Sequence, residues 1–240
     1  MSRVAVVTGG TRGIGAAISE ALVKAGYKVA ATFHGNEKAA QEFSAKTGVQ
    51  TFKFDVADFN ACKDGVAKIQ AALGPVDILV NNAGITRDGF LHKMTPEQWN
   101  EVIQTNLSSV FNMSRLVIEG MRERSFGRIV SISSINGQAG QAGQCNYSAA
   151  KAAIIGFTKA LAQESASKGI TVNAICPGYV DTEMVRAIAP EILEKIVGKI
   201  PVKRLGRTDE IAKTVLFLAS DEMGFSTGAT FSVNGGQYMA

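Results

Sequence analysis

The feature that most constrains this chain is an alternation running from end to end, in which short β-branched runs are each followed by a longer amphipathic stretch. Strands are expected at 3–8, 28–33, 50–54, 78–81, 128–132, 171–175 and 230–233. Helices are expected between them at 13–25, 38–46, 60–73, 96–122, 147–168, 191–198 and 210–219. Strand–helix repetition of this kind reads as a doubly wound α/β fold, with about seven mostly parallel strands and helices on both faces. Gly26, Gly48, Gly74 and Gly169 follow four of the helices, where a left-handed cap residue is wanted. No linker rich in Pro, Gly or Ser divides the 240 residues, and 46% of them are apolar. One domain over residues 1–240 is therefore expected.

Several classes of protein are disfavoured on composition. The apolar runs fall far short of the ~20 residues of a membrane helix. Met1-Ser2-Arg3-Val4 enters a strand-like run at once and leaves no room for a signal peptide. Cys62, Cys145 and Cys176 are widely separated and form no CxxC pair. That argues against a disulfide framework or a zinc site and fits a reducing cytoplasm. The two histidines, His34 and His92, form no plausible metal site or triad. The net charge of +4 and the pI near 9.0 come from dispersed basic residues. This balance suits acidic small ligands such as phosphorylated cofactors or CoA, and no nucleic-acid partner is expected.

A sheet of this type binds its ligand beyond the carboxyl ends of the strands, where strand order reverses. The first strand runs into Thr8-Gly9-Gly10-Thr11-Arg12-Gly13-Ile14-Gly15 and then a helix. Glycines 9, 13 and 15 let the backbone turn tightly and approach a pyrophosphate at the helix amino terminus. The spacing is not GxGxxG, so a purely structural turn stays open. Tyr147 and Lys151 lie four apart and share one helix face. A phenol of pKa ~10 becomes a useful acid–base group near neutrality only when a cation stabilises its phenolate. An ordinary surface pair is the other reading of an isolated YxxxK.

The glycine turn, Asn81-Asn82-Ala83-Gly84, Tyr147-x-x-x-Lys151 and Pro177-Gly178 stand in the order and spacing of the short-chain dehydrogenase/reductase family, which the whole chain resembles. The resemblance implies a Rossmann-type fold, a nicotinamide cofactor and a carbonyl or alcohol substrate. It implies that Tyr147 is the proton donor, that Lys151 also binds the nicotinamide ribose, and that Ser134 holds the substrate oxygen. Asn106 matches a helix asparagine that holds a water in a proton relay; a helix cap or buried polar residue is its alternative. Cofactor contacts carried over are Gly9, Thr11, Arg12, Gly13, Ile14 and Gly15 in the turn. Asp55 and Val56 would hold the adenine. Asn81, Ala83 and Gly84 would lie along the ribose and pyrophosphate. Pro177, Gly178, Val180 and Thr182 would close over the nicotinamide.

NAD-specific relatives end the second strand with an acid, whereas here it ends Ala31-Thr32-Phe33-His34 with no acid before Glu37. Arg12 stands where a guanidinium can meet a 2′-phosphate, so NADP(H) is expected. The loop from Asn136 to Gln144 should wall the substrate pocket. Its glutamines at 138, 141 and 144, with Asp88 and Tyr179, resemble acetoacetyl-CoA reductases, which make (R)-3-hydroxybutyryl-CoA for polyhydroxybutyrate. Substrate contacts are thus expected at Asp88, Ser134, Gln141, Gln144, Tyr147 and Tyr179. Ala142 departs from the larger aromatic of some of those enzymes. The carrier-protein reductases of fatty acid synthesis usually present a basic pair; here Lys168 is present, and Ser125 stands at the partner position. A CoA thioester is the expected substrate, with a 3-oxoacyl carrier-protein reductase and a non-catalytic NADP-binding regulator as alternatives. The resemblance further implies a homotetramer packed through the helices near 96–122 and 147–168.

Overall fold

A computed structural model of the chain describes residues 2–239; Met1 and Ala240, the ends of the expected unit, lie outside the described residues. β1 (Val4–Val7), β2 (Lys28–Phe33), β3 (Gln50–Lys53), β4 (Val76–Asn81), β5 (Gly127–Ile132), β6 (Ile170–Pro177) and β7 (Thr230–Val233) form one sheet. Its order is β3-β2-β1-β4-β5-β6-β7 and every pairing is parallel. The connections carry α1 (Gly13–Lys24), α2 (Glu37–Thr47), α3 (Phe59–Leu73), α4 (Pro96–Ile103), α5 (Ser109–Glu123) and α6 (Ile135–Ala139). They continue with α7 (Cys145–Ser165), α8 (Glu183–Arg186), α9 (Pro190–Lys199) and α10 (Thr208–Ala219). This is the Rossmann-type α/β fold that the alternation implied.

Alternate side chains of the central strands feed two cores, as a period of two requires. Ala5, Val7, Ile78 and Val80 pack with α1 and α10 on one face, where Ile18 and Leu22 meet Ile211 and Val215. Val6, Leu79 and Ile129 pack with α3 and α5 on the other, against Ile69, Met113 and Val117. Strands buried on both faces read as continuous apolar runs, which is what β1 is throughout and β4 is over Ile78–Val80.

Most element ends shift by one to three residues from expectation, and some differences have a structural cause. β4 begins at Val76 because the strand absorbs Asp77 at a register shift, where the carboxylate accepts the Val4 N–H at 3.1 Å. The expected helix 96–122 is α4 and α5 joined by a π turn at Gln104–Ser108, and Asn106 sits in that turn. α6 and α8 have five and four residues, too short to leave a helical period. Of the four cap glycines, Gly48 and Gly169 are left-handed, whereas Gly74 pairs a φ of 105° with an extended ψ and turns the chain straight toward β4. β1 lies between β2 and β4, so strand order reverses there and a crevice opens beyond the carboxyl ends of these strands.

Candidate active site

The glycine turn is built against the end of β4. The Thr8 N–H donates to Val80 O at 3.0 Å, and the Thr8 hydroxyl accepts from the Asn82 and Ala83 N–H groups at 2.9 and 3.0 Å. The Asn82 amide donates to Thr8 O and Gly9 O at 2.9 and 3.1 Å. Asn82 therefore clamps the turn, a role its sequence gave no means of separating from that of Asn81. Gly9 and Gly13 have φ of 60° and 54°, and a Cβ on Gly15 would collide with Gly9 O. What remains is a bare cradle at the amino terminus of α1, where Arg12 makes no side-chain cap and leaves the first-turn N–H groups for a ligand. Thr11 and Ile14 are half-buried along it. Thr182 Cγ2 lies 3.8 Å from where a Gly13 Cβ would stand, so the stretch from Pro177 to Thr182 folds across the cradle. The cradle fits a dinucleotide pyrophosphate.

Asp55 and Val56 follow β3. The Asp55 carboxylate accepts the Ala57 N–H at 2.9 Å and lies 3.8 Å from His34 Nδ1. Val56 is buried, and its carbonyl accepts from Asn112 Nδ2 at 3.0 Å. Asn81 is buried with its amide turned between Ser114 and Ser131, so only its main chain borders the crevice. Glu37, the first acid after β2, is engaged by Lys53 at 2.6 Å, and that hydrogen bond lowers the Glu37 pKa. Arg12 is exposed and, among the described residues, belongs to no ion pair.

The reacting groups converge at the ends of β5 and β6. β5 stops at Ile132, and Ser134 caps α6 by accepting the Asn136 N–H at 3.1 Å. Ser133, which the sequence could not fully distinguish from Ser134, donates to Lys151 O at 2.6 Å and is a structural clasp. The Ser134 hydroxyl neighbours the Tyr147 phenol. The Tyr147 pKa is raised, chiefly by burial; the neighbouring Ser134 hydroxyl lowers it and the charge of nearby Asp88 raises it. Lys151 is buried at 3% exposure, with Nζ donating to Ile132 O at 2.8 Å and lying 5.6 Å from the Tyr147 ring centre. Burial lowers its pKa from 10.5 to about 8. Asn106 is fully buried; its amide oxygen accepts Ile85 N–H at 2.8 Å and its nitrogen donates to Ile85 O at 2.9 Å. A Cβ on Gly84 would stand 3.3 Å from Asn106 Oδ1 and 3.5 Å from Lys151 Nζ, so these three residues meet beside Tyr147. A π turn relaxes the helical ladder and is often found at functional sites.

The opposite wall comes from two loops. Gln144 Nε2 donates to both Asp88 carboxylate oxygens at 3.0 Å, and its Oε1 accepts from Asn136 Nδ2 at 2.9 Å. Tyr179 is half-buried; burial raises its pKa and the Asp88 charge adds to the effect. Gln141 is exposed, with one weak contact to Ala142 O at 3.5 Å. Gln138 faces away from this wall and pairs with Ser232 on β7 at 3.1 Å. Pro177 and Val180 are buried, Gly178 N–H donates to Val233 O at 3.0 Å, and the segment is braced by a Val180–Gly206 bridge. No group of metal-binding side chains occurs among the described residues, and no helix of the described residues is long and apolar enough to cross a membrane.

Known proteins resemble the chain over nearly its whole length. A family model described as enoyl-(acyl carrier protein) reductase matches residues 9–237. The acetoacetyl-CoA reductase of Shinella zoogloeoides is 67% identical over 99% of each chain, and that of Rhizobium meliloti is 65% identical over 100% of each. The 3-oxoacyl-(acyl-carrier-protein) reductase of Escherichia coli is 48% identical over 99% of this chain and 98% of its own.

Proposed function

We propose that this chain, which belongs to the short-chain dehydrogenase/reductase family, is a pyridine-nucleotide oxidoreductase that reduces acetoacetyl-CoA to (R)-3-hydroxybutyryl-CoA with NADPH. The observation that carries the reading is the convergence of Ser134, Tyr147, Lys151 and Asn106 beside a glycine cradle. Residues 1–240 would act as one dinucleotide-binding and catalytic unit. NADPH, when bound, supplies the hydride for C3.

Tyr147 donates its proton to the C3 oxygen, and Ser134 hydrogen-bonds that oxygen as negative charge develops on it. Lys151, still largely cationic at neutral pH, would favour the phenolate of Tyr147 and would bind the nicotinamide ribose. The Asn106 amide is committed to Ile85, so any relay water would be held by its main-chain carbonyl. The cradle residues Gly9 to Gly15 take the pyrophosphate, with Asp55, Val56, Asn81, Ala83 and Gly84 along the adenosine. Pro177, Gly178, Val180 and Thr182 close the nicotinamide end. Asp88, Gln141, Gln144 and Tyr179 face the thioester.

Two observations favour CoA over a carrier protein. The relatives named for acetoacetyl-CoA are 67% and 65% identical, against 48% for the carrier-protein enzyme. The basic run near the end of α5 is also used internally. Arg122 donates to Glu164 O, Arg124 to Val76 O, and buried Arg128 to Ser220 and Asp221 carbonyls. These bonds commit guanidinium donors that would otherwise be free for an acidic carrier. A cytoplasmic homotetramer packed through α4, α5 and α7 completes the reading; α5 offers exposed Phe111, stacked on Phe59 at 6.4 Å.

The activity is tested by incubating the protein with acetoacetyl-CoA and NADPH and resolving the product on a chiral phase, with stoichiometric (R)-3-hydroxybutyryl-CoA expected. Cofactor choice is tested by Arg12→Ala. Losing one charge-assisted contact should raise KM for NADPH about tenfold or more and leave KM for NADH little changed. Equal kcat/KM for the two cofactors in the unmodified protein would contradict the NADP assignment.

A further inference from the structure

Asn146 stands immediately before Tyr147 and is completely buried. Its position in α7 gives it an unusual task. The residue at the helix cap, Gln144, makes no side-chain cap, because its carboxamide is spent on Asn136 and Asp88. First-turn N–H groups have no partner within a helix and need one from elsewhere. Asn146 Oδ1 supplies it for Tyr147, accepting that N–H at 2.8 Å. The other end of the same amide donates to Arg87 O at 2.9 Å and Gln98 O at 3.2 Å. One side chain therefore joins the first turn of α7, the strap after β4 and the helix α4.

The strap is held at several neighbouring points. Asn106 grips both main-chain groups of Ile85, Gln144 grips Asp88, and Gly89 N–H donates to Gly143 O at 2.8 Å. Only a neutral carboxamide of this length accepts from one main-chain group while donating to two others. We propose that Asn146 is a positioning residue that locks the Tyr147 turn to the strap at 85–89 and so sets the placement of the phenol against Ser134. This rests on the functional reading above for its consequence, though not for its geometry.

Asn146→Ala and the milder Asn146→Ser test it, each compared with the unmodified protein and with its own Tyr147→Phe partner. Folded sites are counted by NADPH binding, and kcat with acetoacetyl-CoA is expressed per site. A misplacement of order 1 Å costs on the order of 10²-fold, so kcat per site should fall by about that factor in Asn146→Ala and less in Asn146→Ser. The solvent deuterium isotope effect should rise as proton delivery becomes limiting. The phenolate absorbance assigned to Tyr147, by difference from the Phe partner, should move to higher pH, because the phenol is displaced from the Ser134 hydroxyl that lowers its pKa. This titration needs no substrate: a shifted phenol in a protein inactive on acetoacetyl-CoA leaves the positioning role standing and removes the substrate reading. An unmoved titration with kcat per site within about threefold overturns the proposal. So does a fall in kcat with an unchanged isotope effect, or failure of both variants to yield NADPH-binding protein, which would make Asn146 a folding residue only.

Discussion

Tyr147→Phe is expected to fold, bind NADPH and lose about 10³-fold or more in kcat. The phenol is the acid that stands beside Ser134, from where a proton can pass to the substrate oxygen. A positioned acid contributes about 10²–10⁴-fold, and groups acting as a unit exceed that when one is removed. The ring itself is half-buried and stays in place without its hydroxyl, so stability changes little. Steady-state kinetics beside NADPH titration checks this; most of the activity surviving in a folded Tyr147→Phe protein would remove Tyr147 from the mechanism.

Lys151→Met is expected to abolish turnover and weaken NADPH binding without unfolding the protein. Its ammonium is buried, and burial lowers its pKa from 10.5 to about 8. A depressed lysine pKa means that the unfolded chain binds more protons between those values, so stability of the unmodified protein should rise with pH from about 8 to about 10.5. At neutral pH the charged form costs the free fold roughly 3 kcal/mol. Removing it relieves that cost but leaves the Ile132 carbonyl without its donor, an offset of about 1–3 kcal/mol. The variant should therefore be about as stable as the parent at pH 7 and lack the parent's rise through the alkaline window. Urea melts at pH 7, 9 and 10.5 would show it. For catalysis the sign is opposite: reduction should slow as pH climbs past about 8, since the cation that makes Tyr147 a usable acid is lost.

Much of this site was legible in the sequence because its chemistry sits where an alternating chain must place it. The glycine turn after β1, Tyr147 with Lys151 on one turn of α7, and the missing acid after β2 are local patterns, and each stands where it was expected. What escaped depends on contacts between distant segments. Asn82 and Asn81 are adjacent and chemically identical, yet one clamps Gly9 and the other is turned into the β4–α5 core. Gln138, Gln141 and Gln144 repeat every three residues, but α6 and its turn send the first toward β7 and the last to Asp88. The π turn at Asn106 leaves no mark in helical periodicity, because it changes one turn while both flanking helices keep their apolar faces. Asn146 looks like an ordinary polar residue of a helix start until the carbonyls of Arg87 and Gln98 are brought to it.

The thioester assignment is the claim on which the whole account turns, and one comparison tests it most directly. At fixed NADPH, kcat/KM is measured for acetoacetyl-CoA and for acetoacetyl carried on an acyl carrier protein. The wall of Asp88, Gln144 and Tyr179, together with the internally engaged arginines at the end of α5, predicts that the CoA thioester is the better substrate. A carrier-bound thioester preferred by about tenfold or more, equivalent to about 1.4 kcal/mol of transition-state binding, would contradict it and assign the enzyme to carrier-protein chemistry.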